Sequence, residues 1–422
     1  MRRNPPEKVP HQASTRRRRG TGKGAPSADV GKFFSGMGQR IASEWEKANH
    51  NENAFVLVAG SAIREFCPWN VSPEGLVRWA LTTKGLPPQH DVHAGFGNPP
   101  LTVFSANGFQ IQAIFWTQGA TAIHNHGFVG AFTVLSGESL ALHYGFNVQD
   151  RISSRLAVGE VTMRDAQRVV AGDVLDIGYD LSQSVYHISR PTVSLVVRTL
   201  GEPLGGPRHD LVWPYLAFDP FRVDAAWVRA TQLLRTWREL GHSLWPHLRD
   251  FLDSHDLPAG VYVIVRLAAS PGLHPIVLQA CSHVAARHGE AGELIGASLI
   301  EYARVAYLHG RASSFSDEER RRLAAVPVLS HGVESARRLS ALLWPHRSYP
   351  DCVRDVFATL LPGVPTTRFE HMMSEDVRQL APGDAGDEIV RSAVAPLIMP
   401  AERRAKALQG LVKSIPPFNS DR

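Results

Sequence analysis

The sequence predicts an α+β multidomain chain: a β barrel over residues 101–200, short helices before it and an all-α domain after it. Three observations carry that prediction. Between Leu101 and Leu200 apolar residues alternate with polar or small ones, as in Phe109, Ile111, Ala113 and Phe115 against Gln110 and Gln112. Turn signals such as Ala106-Asn107-Gly108, Ser136-Gly137 and Ala171-Gly172-Asp173 separate these runs, and short strands with regular glycine turns indicate an antiparallel sandwich or barrel. Beyond Pro220 the period changes to 3.6, with stripes Ala226/Ala230/Leu233/Trp237/Leu240, Ile295/Leu299/Tyr302/Ala306 and Val333/Ala336/Leu339/Leu343.

The elements follow in order. Residues 1–32 hold nine Lys or Arg against Glu7 and Asp29, a charge of +7. The whole 422-residue chain is only +5, so the remainder sums to −2 and the basicity belongs to this tail. Rich in Pro, Gly, Ser and Arg, the tail reads as a disordered solvated leader; nucleic acid is not expected as a partner, because no aromatic residues interleave the charges. Val30–Lys47 has the pattern of an amphipathic helix. Ser72-Pro73-Glu74-Gly75 signals a second, with a serine cap and proline at the first helical position. The expected domains are residues 33–220 for the barrel with its helices, 221–412 for the all-α domain and 413–422 for a flexible C-terminus. No apolar run is long enough to cross a membrane. The odd, widely spaced cysteines Cys67, Cys281 and Cys352 fit a reducing, cytoplasmic setting, and no secretory leader is evident.

His124-Asn125-His126 lies in strand texture, where residues i and i+2 share a face, so both imidazoles can reach one ion. Alone the pair is weak, since about one His-x-His is expected by chance at this histidine content. Its context strengthens it. Gly119-Ala120-Thr121-Ala122-Ile123-His124-Asn125-His126 is followed by Gly137 at the next turn, and Gly172-Asp173-Val174-Leu175 opens a strand pair ending in Val185-Tyr186-His187-Ile188.

These two runs resemble the paired motifs of the cupin superfamily, and Trp116–Leu200 is similar to the cysteine dioxygenase-like (thiol dioxygenase) branch, most clearly in Trp116-x-x-Gly119 and Ile123-His124-Asn125-His126-Gly127. The resemblance implies a single Fe(II) held by His124, His126 and His187, with Gly130 where most cupins supply a glutamate. It further implies an oxygenase acting on a small thiol or another chelating anion with dioxygen. Three neutral imidazoles would leave positions for an anionic substrate beside oxygen. The alternative is a cupin that binds metal or ligand without turnover, its helical domain docking a protein partner.

The chain departs from that branch along the strand after His187. Where the family carries Ser-x-His-x-Tyr, this chain has Ser194-Leu195-Val196-Val197-Arg198, and the asparagine four residues past the third ligand is Pro191. Arg198, if it shares the inward phase of Ser194, is either an anchor for a substrate carboxylate, phosphate or sulfonate, or a structural partner of an acid such as Asp165 or Asp176. Tyr144 and Tyr186 are candidate proton donors, and only one of His143 and Tyr144 can face the cavity. Gln110 and Gln112 line the cavity or face outward. The helical domain shows no catalytic motif.

Overall fold

The computed structural model describes residues 27–89, 97–106, 108–117, 119–200, 208–221, 224–270, 274–360 and 395–414. Most of the predicted basic tail and of the C-terminus, together with Asn107 and Gln118 of the turn signals, lies outside them.

α1 (Ser27–Lys47) takes in the last six residues of the segment expected to be tail. Its Val30, Phe34, Met37, Ile41 and Trp45 recur at helical spacing and are all buried. α2 (Glu52–Phe66), which the sequence reading passed over, is capped by Asn51, whose side chain accepts from the Asn53 and Ala54 amides. α3 (Pro73–Thr82) carries the expected cap, with Ser72 Oγ accepting from the Gly75 amide at 3.0 Å.

Two sheets follow. One has the strand order β1 (Pro100–Ala106), β2 (Phe109–Trp116), β9 (Thr192–Thr199), β4 (Gly130–Ser136), β7 (Val174–Ile177). The other closes as a ring in the order β10 (Asp210–Val212), β11 (Leu216–Phe218), β6 (Leu156–Val170), β5 (Glu138–Ser153), β8 (Ser182–His187), β3 (Ile123–Asn125). β10 and β11 lie beyond the stretch expected to be strand. Gly137 (φ +94°) and Gly172 (φ +101°) sit in the left-handed region at the β4–β5 and β6–β7 turns, where a Cβ would be strained.

The alternation sorts the side chains. Ile114, Trp116, Phe132, Val134 and Val196 of the first sheet meet Ala141 and Val169 of the second in a core between the sheets. The opposite face of the first sheet, with Phe109, Ile111, Ala131, Leu195 and Val197, packs on α1–α3. Leu140, Leu142, Tyr144 and Tyr186 of the second sheet instead pack on helices.

Those helices are α4 (Ala225–Glu239), α5 (Trp245–Ser254), α6 (Leu257–Ala268), α7 (His274–Ser313, kinked at Gly289), α8 (Glu318–Leu329), α9 (Val333–Leu343), α10 (Tyr349–Leu360) and α11 (Ala401–Ser414). The stripes expected on α7 and α9 turn inward: Ile295, Leu299, Ala336 and Leu339 are fully buried. The stripe on α4 does not, because Thr231 and Leu234 on another face pack inward and leave Leu233 and Leu240 exposed. α11 reaches two residues past Val412. A buried charge cluster ties α11 to α7, with Glu301 accepting from Arg304 at 2.6 Å and also from Arg404.

Candidate functional site

Strand pairing decides which residues meet. β3 pairs antiparallel with β8 so that His124 stands opposite Gln183, and β5 pairs with β8 so that His143 also stands opposite Gln183. His126 follows β3, and its ring lies 4.8 Å from that of His124. Gln183 Nε2 is 3.4 Å from His126 Nε2. His124, His126 and Gln183 are all buried.

His187 belongs elsewhere. It lies four residues farther along β8, opposite Ser139, which at strand rise is about 13 Å from Gln183. Its ring stacks on Trp116 at 4.3 Å, and its Nδ1 pairs with Ser139 Oγ at 2.9 Å. The structure therefore brings together two of the three expected ligands and places Gln183 at the third corner. The reason is local. The turn before β8 ends at Leu181, so the first residue of the strand on the His124 face is Gln183, and His187 shares its phase two strand repeats later.

The two imidazoles are set for one role. His124 Nδ1 lies 2.8 Å from the Ala122 carbonyl and His126 Nδ1 lies 3.3 Å from the Leu181 carbonyl. Such bonds put the proton on Nδ1 and leave the Nε2 lone pair facing the site. Burial holds His124 well below the usual histidine range, with His126 and Arg208 adding to the effect. Burial likewise pushes His126 down to about 4, with Arg208 and Arg198 contributing and the Leu181 bond opposing. Both rings are neutral at ordinary pH.

A positive wall stands beside them. Arg198 in β9 pairs across to Gln110 and Gly130, and its guanidinium lies 5.0 Å from the centre of the Phe128 ring. Phe128 in turn lies 5.0 Å from His126. Arg198 Nε donates to Gln112 Oε1 at 3.0 Å, and with its amide oriented to suit these neighbours Gln110 accepts from Arg198 Nη2 at 2.5 Å. Gln110 and Gln112 are both buried. Arg338, rather than Arg198, takes Asp165. Gly130 cannot carry a carboxylate here, since any Cβ would run into the Val197 carbonyl.

The remaining candidates point away from this cluster. Tyr144 packs among residues that face the helices, 5.6 Å from the His331 ring. Tyr186 donates its hydroxyl to the Arg321 carbonyl at 3.1 Å, and burial pushes it up to about 12. Neither serves the histidine pair: the strand phase that aims Ala141, His143 and Val185 one way aims Leu140, Tyr144 and Tyr186 the other. Gln183, which sequence reasoning missed, was findable as the residue sharing strand phase with His187.

The residues do not fit a three-imidazole iron centre. Among the described residues no three His, Cys, Asp or Glu side chains are grouped to hold a metal. What converges is two imidazoles and an amide, with guanidinium groups near enough to depress the histidines.

No family model matches the chain, and neither does any curated protein. Among solved structures it is similar to a cupin-2 domain protein from Shewanella frigidimarina NCIMB 400, at 11% identity over 30% of this chain and 90% of that one, TM-score 0.18. It is similar also to an oxalate oxidase (18% identity, 30% of this chain and 57% of that one, TM-score 0.18). A third likeness is to an oxalate oxidase bound to the substrate analogue glycolate (17% identity, 35% and 62%, TM-score 0.19). The chain thus spans less than two thirds of either oxidase, and at these scores the likenesses bear on no question of activity. The class is defined by the strand order and the layers: an α+β protein with a β barrel of antiparallel strands between N-terminal helices and a helical C-terminal region.

Proposed function

We propose that the barrel binds a small hydroxylated organic anion at its polar end, its anionic group held by the wall of Arg198, Gln110 and Gln112 with the Gln183 amide, and its hydroxyl donating to the Nε2 lone pairs of His124 and His126. The observation that carries this reading is the series Arg198–Phe128–His126, which sets a guanidinium two ring-widths from the histidine pair. A cation there favours an anionic group and opposes a dication. Gln183 at the third corner and the bare backbone at Gly130 remove the further imidazole and the carboxylate that would offset a metal's charge. In this reading the barrel is a binding module, and the helical region, which exposes Leu233 and Leu240 on α4, is its protein-docking part.

A second reading is favoured by the tautomers. Imidazoles held by Nδ1–carbonyl bonds are oriented as metal ligands are. A divalent ion would then take His124, His126 and the Gln183 carbonyl, and iron so held would supply the dioxygen chemistry of a thiol or chelating-anion oxygenase. Metal analysis of the purified protein, followed by oxygen uptake with thiols and dicarbonyls, separates the two. Protein without stoichiometric metal that still binds small hydroxycarboxylates supports the anion reading. Stoichiometric iron with substrate-dependent oxygen uptake overturns it.

A further inference from the structure

We propose that the seam between the barrel and the helical region holds a second, separate anion site beside Gly119, where Arg190 and His309 grip a small oxyanion. Arg190 follows β8, and its Nη1 donates to the Ser313 carbonyl at the end of α7 at 3.1 Å. Its Nε and Nη2 are buried with no hydrogen-bond partner. These two groups form the side of the guanidinium that presents parallel N–H bonds, the fork that matches two oxygens of a carboxylate, phosphate or sulfate.

His309, on α7, bounds the same site. Its Nε2 is likewise buried and unpartnered. A Cβ built on Gly119 would run into Arg190 Nη2 and lie 3.2 Å from His309 Nε2, so both heads lie against the bare backbone at Gly119, and an oxyanion enters between them as the Arg190 head draws back. Three buried polar atoms from two parts of the chain thus face one point, and buried donors of this kind call for a bound partner.

The charge around the site is uncompensated. Arg321 stands near Arg190, and its own groups are taken by the carbonyls of Ile188, Phe315 and Ser316. Nearby Glu138 is occupied by Arg168 and Arg322, and Glu318 by Arg322 and Ser189. No carboxylate of the described residues pairs with Arg190 or Arg321. A buried cation without a counterion is costly, and an oxyanion supplies both the charge and the acceptors.

The ligand class is therefore a compact oxyanion, free or as the terminal group of a larger molecule. Because Arg190 comes from the barrel side and His309 from α7, its binding would couple the two regions. The site does not depend on the reading of the histidine pair, since it uses none of those residues.

The test is thermal unfolding of the full chain in sodium phosphate or sulfate, inorganic anions that the barrel's polar end is not proposed to take, against chloride at equal ionic strength. Saturable stabilisation is expected with at least one oxyanion, reaching about a hundredfold in the folding constant at a hundred times Kd. Arg190→Gln should abolish it, and Gly119→Ala, whose Cβ would displace the Arg190 head, should do the same. His124→Ala should keep it, which separates this site from the barrel's polar end. Circular dichroism in chloride checks that each variant is folded, and His309→Gln, expected to weaken the effect, serves if Arg190→Gln does not fold. No response to any oxyanion through the millimolar range, or an equal response in folded Arg190→Gln and Gly119→Ala, overturns the proposal.

Discussion

Replacing His187 by alanine distinguishes a packed histidine from a ligand. Its ring is fully buried, stacked at 4.3 Å and 19° on Trp116, and hydrogen-bonded through Nδ1 to Ser139. Truncating a buried ring of this size costs about 2–4 kcal/mol from lost contacts and the cavity left behind. Leaving the buried Ser139 hydroxyl without its partner adds about 1 kcal/mol. The loss is partly offset, because His187 Nε2 has no partner in the native fold and its burial there is itself unfavourable. The net expectation is a destabilisation of about 2–4 kcal/mol, read as a lower urea midpoint with an unchanged slope. Binding at the polar end should stay within twofold of the native value, since Gln183, not His187, stands opposite His124. The paired control is His124→Ala, which should lose binding. If folded His187→Ala protein loses metal or anion binding as completely as His124→Ala, the assignment of the third corner to Gln183 is wrong.

Further outcomes follow from neighbouring residues. Gln183→His puts a third imidazole opposite His124 and should raise affinity for Co(II) or Zn(II) at least tenfold by isothermal titration; no gain would show that the corner does not face the pair. Gly130→Ala drives a Cβ into the Val197 carbonyl and should cost at least about 2 kcal/mol, measured by chemical denaturation. Acid should destabilise the fold. Burial depresses His126 to about 4 and His187 and His331 to about 3, below the unfolded value, so each favours folding fully above pH 6.5 and less as pH falls towards its folded value. At pH 5 each loses about 2 kcal/mol of its contribution, at 1.36 kcal/mol per unit. Asp210, pushed up to about 6 by burial, acts the other way, as one group against three. A denaturation midpoint flat between pH 7 and 5 would contradict the burial of these rings.

Much of this architecture is written in side-chain periodicity, and the exceptions have physical causes. The period-two runs of β2, β5 and β9 fall where the alternation put them, because one face of each must be covered by the opposing sheet. α2 escaped notice although Phe55, Ala59, Ala62 and Ile63 sit at helical spacing and are buried; its run of Val, Ala and Gly blurs the polar face. On α4 the period marked a stripe but not its covering. Leu233 stays exposed, and Trp237 is stacked instead on His242 at 4.4 Å. In the candidate site the histidine pair was legible because i and i+2 share a strand face. The third corner was not, since Gln183 and His187 share that face and only the register against β3 and β5 separates them. The orientation of Tyr144 and Tyr186 depended likewise on which face of the second sheet the helices cover.

The most direct measurement is nuclear magnetic resonance of the histidine side-chain nitrogens in chelator-treated, metal-free protein, titrated with small hydroxycarboxylates. Binding at the polar end predicts saturable shifts of the Nε2 resonances of His124 and His126, unchanged in His187→Ala and absent in Arg198→Gln. Shifts that appear only after iron is restored, or that depend on His187 as much as on His124, would contradict an anion site built on His124, His126 and Gln183.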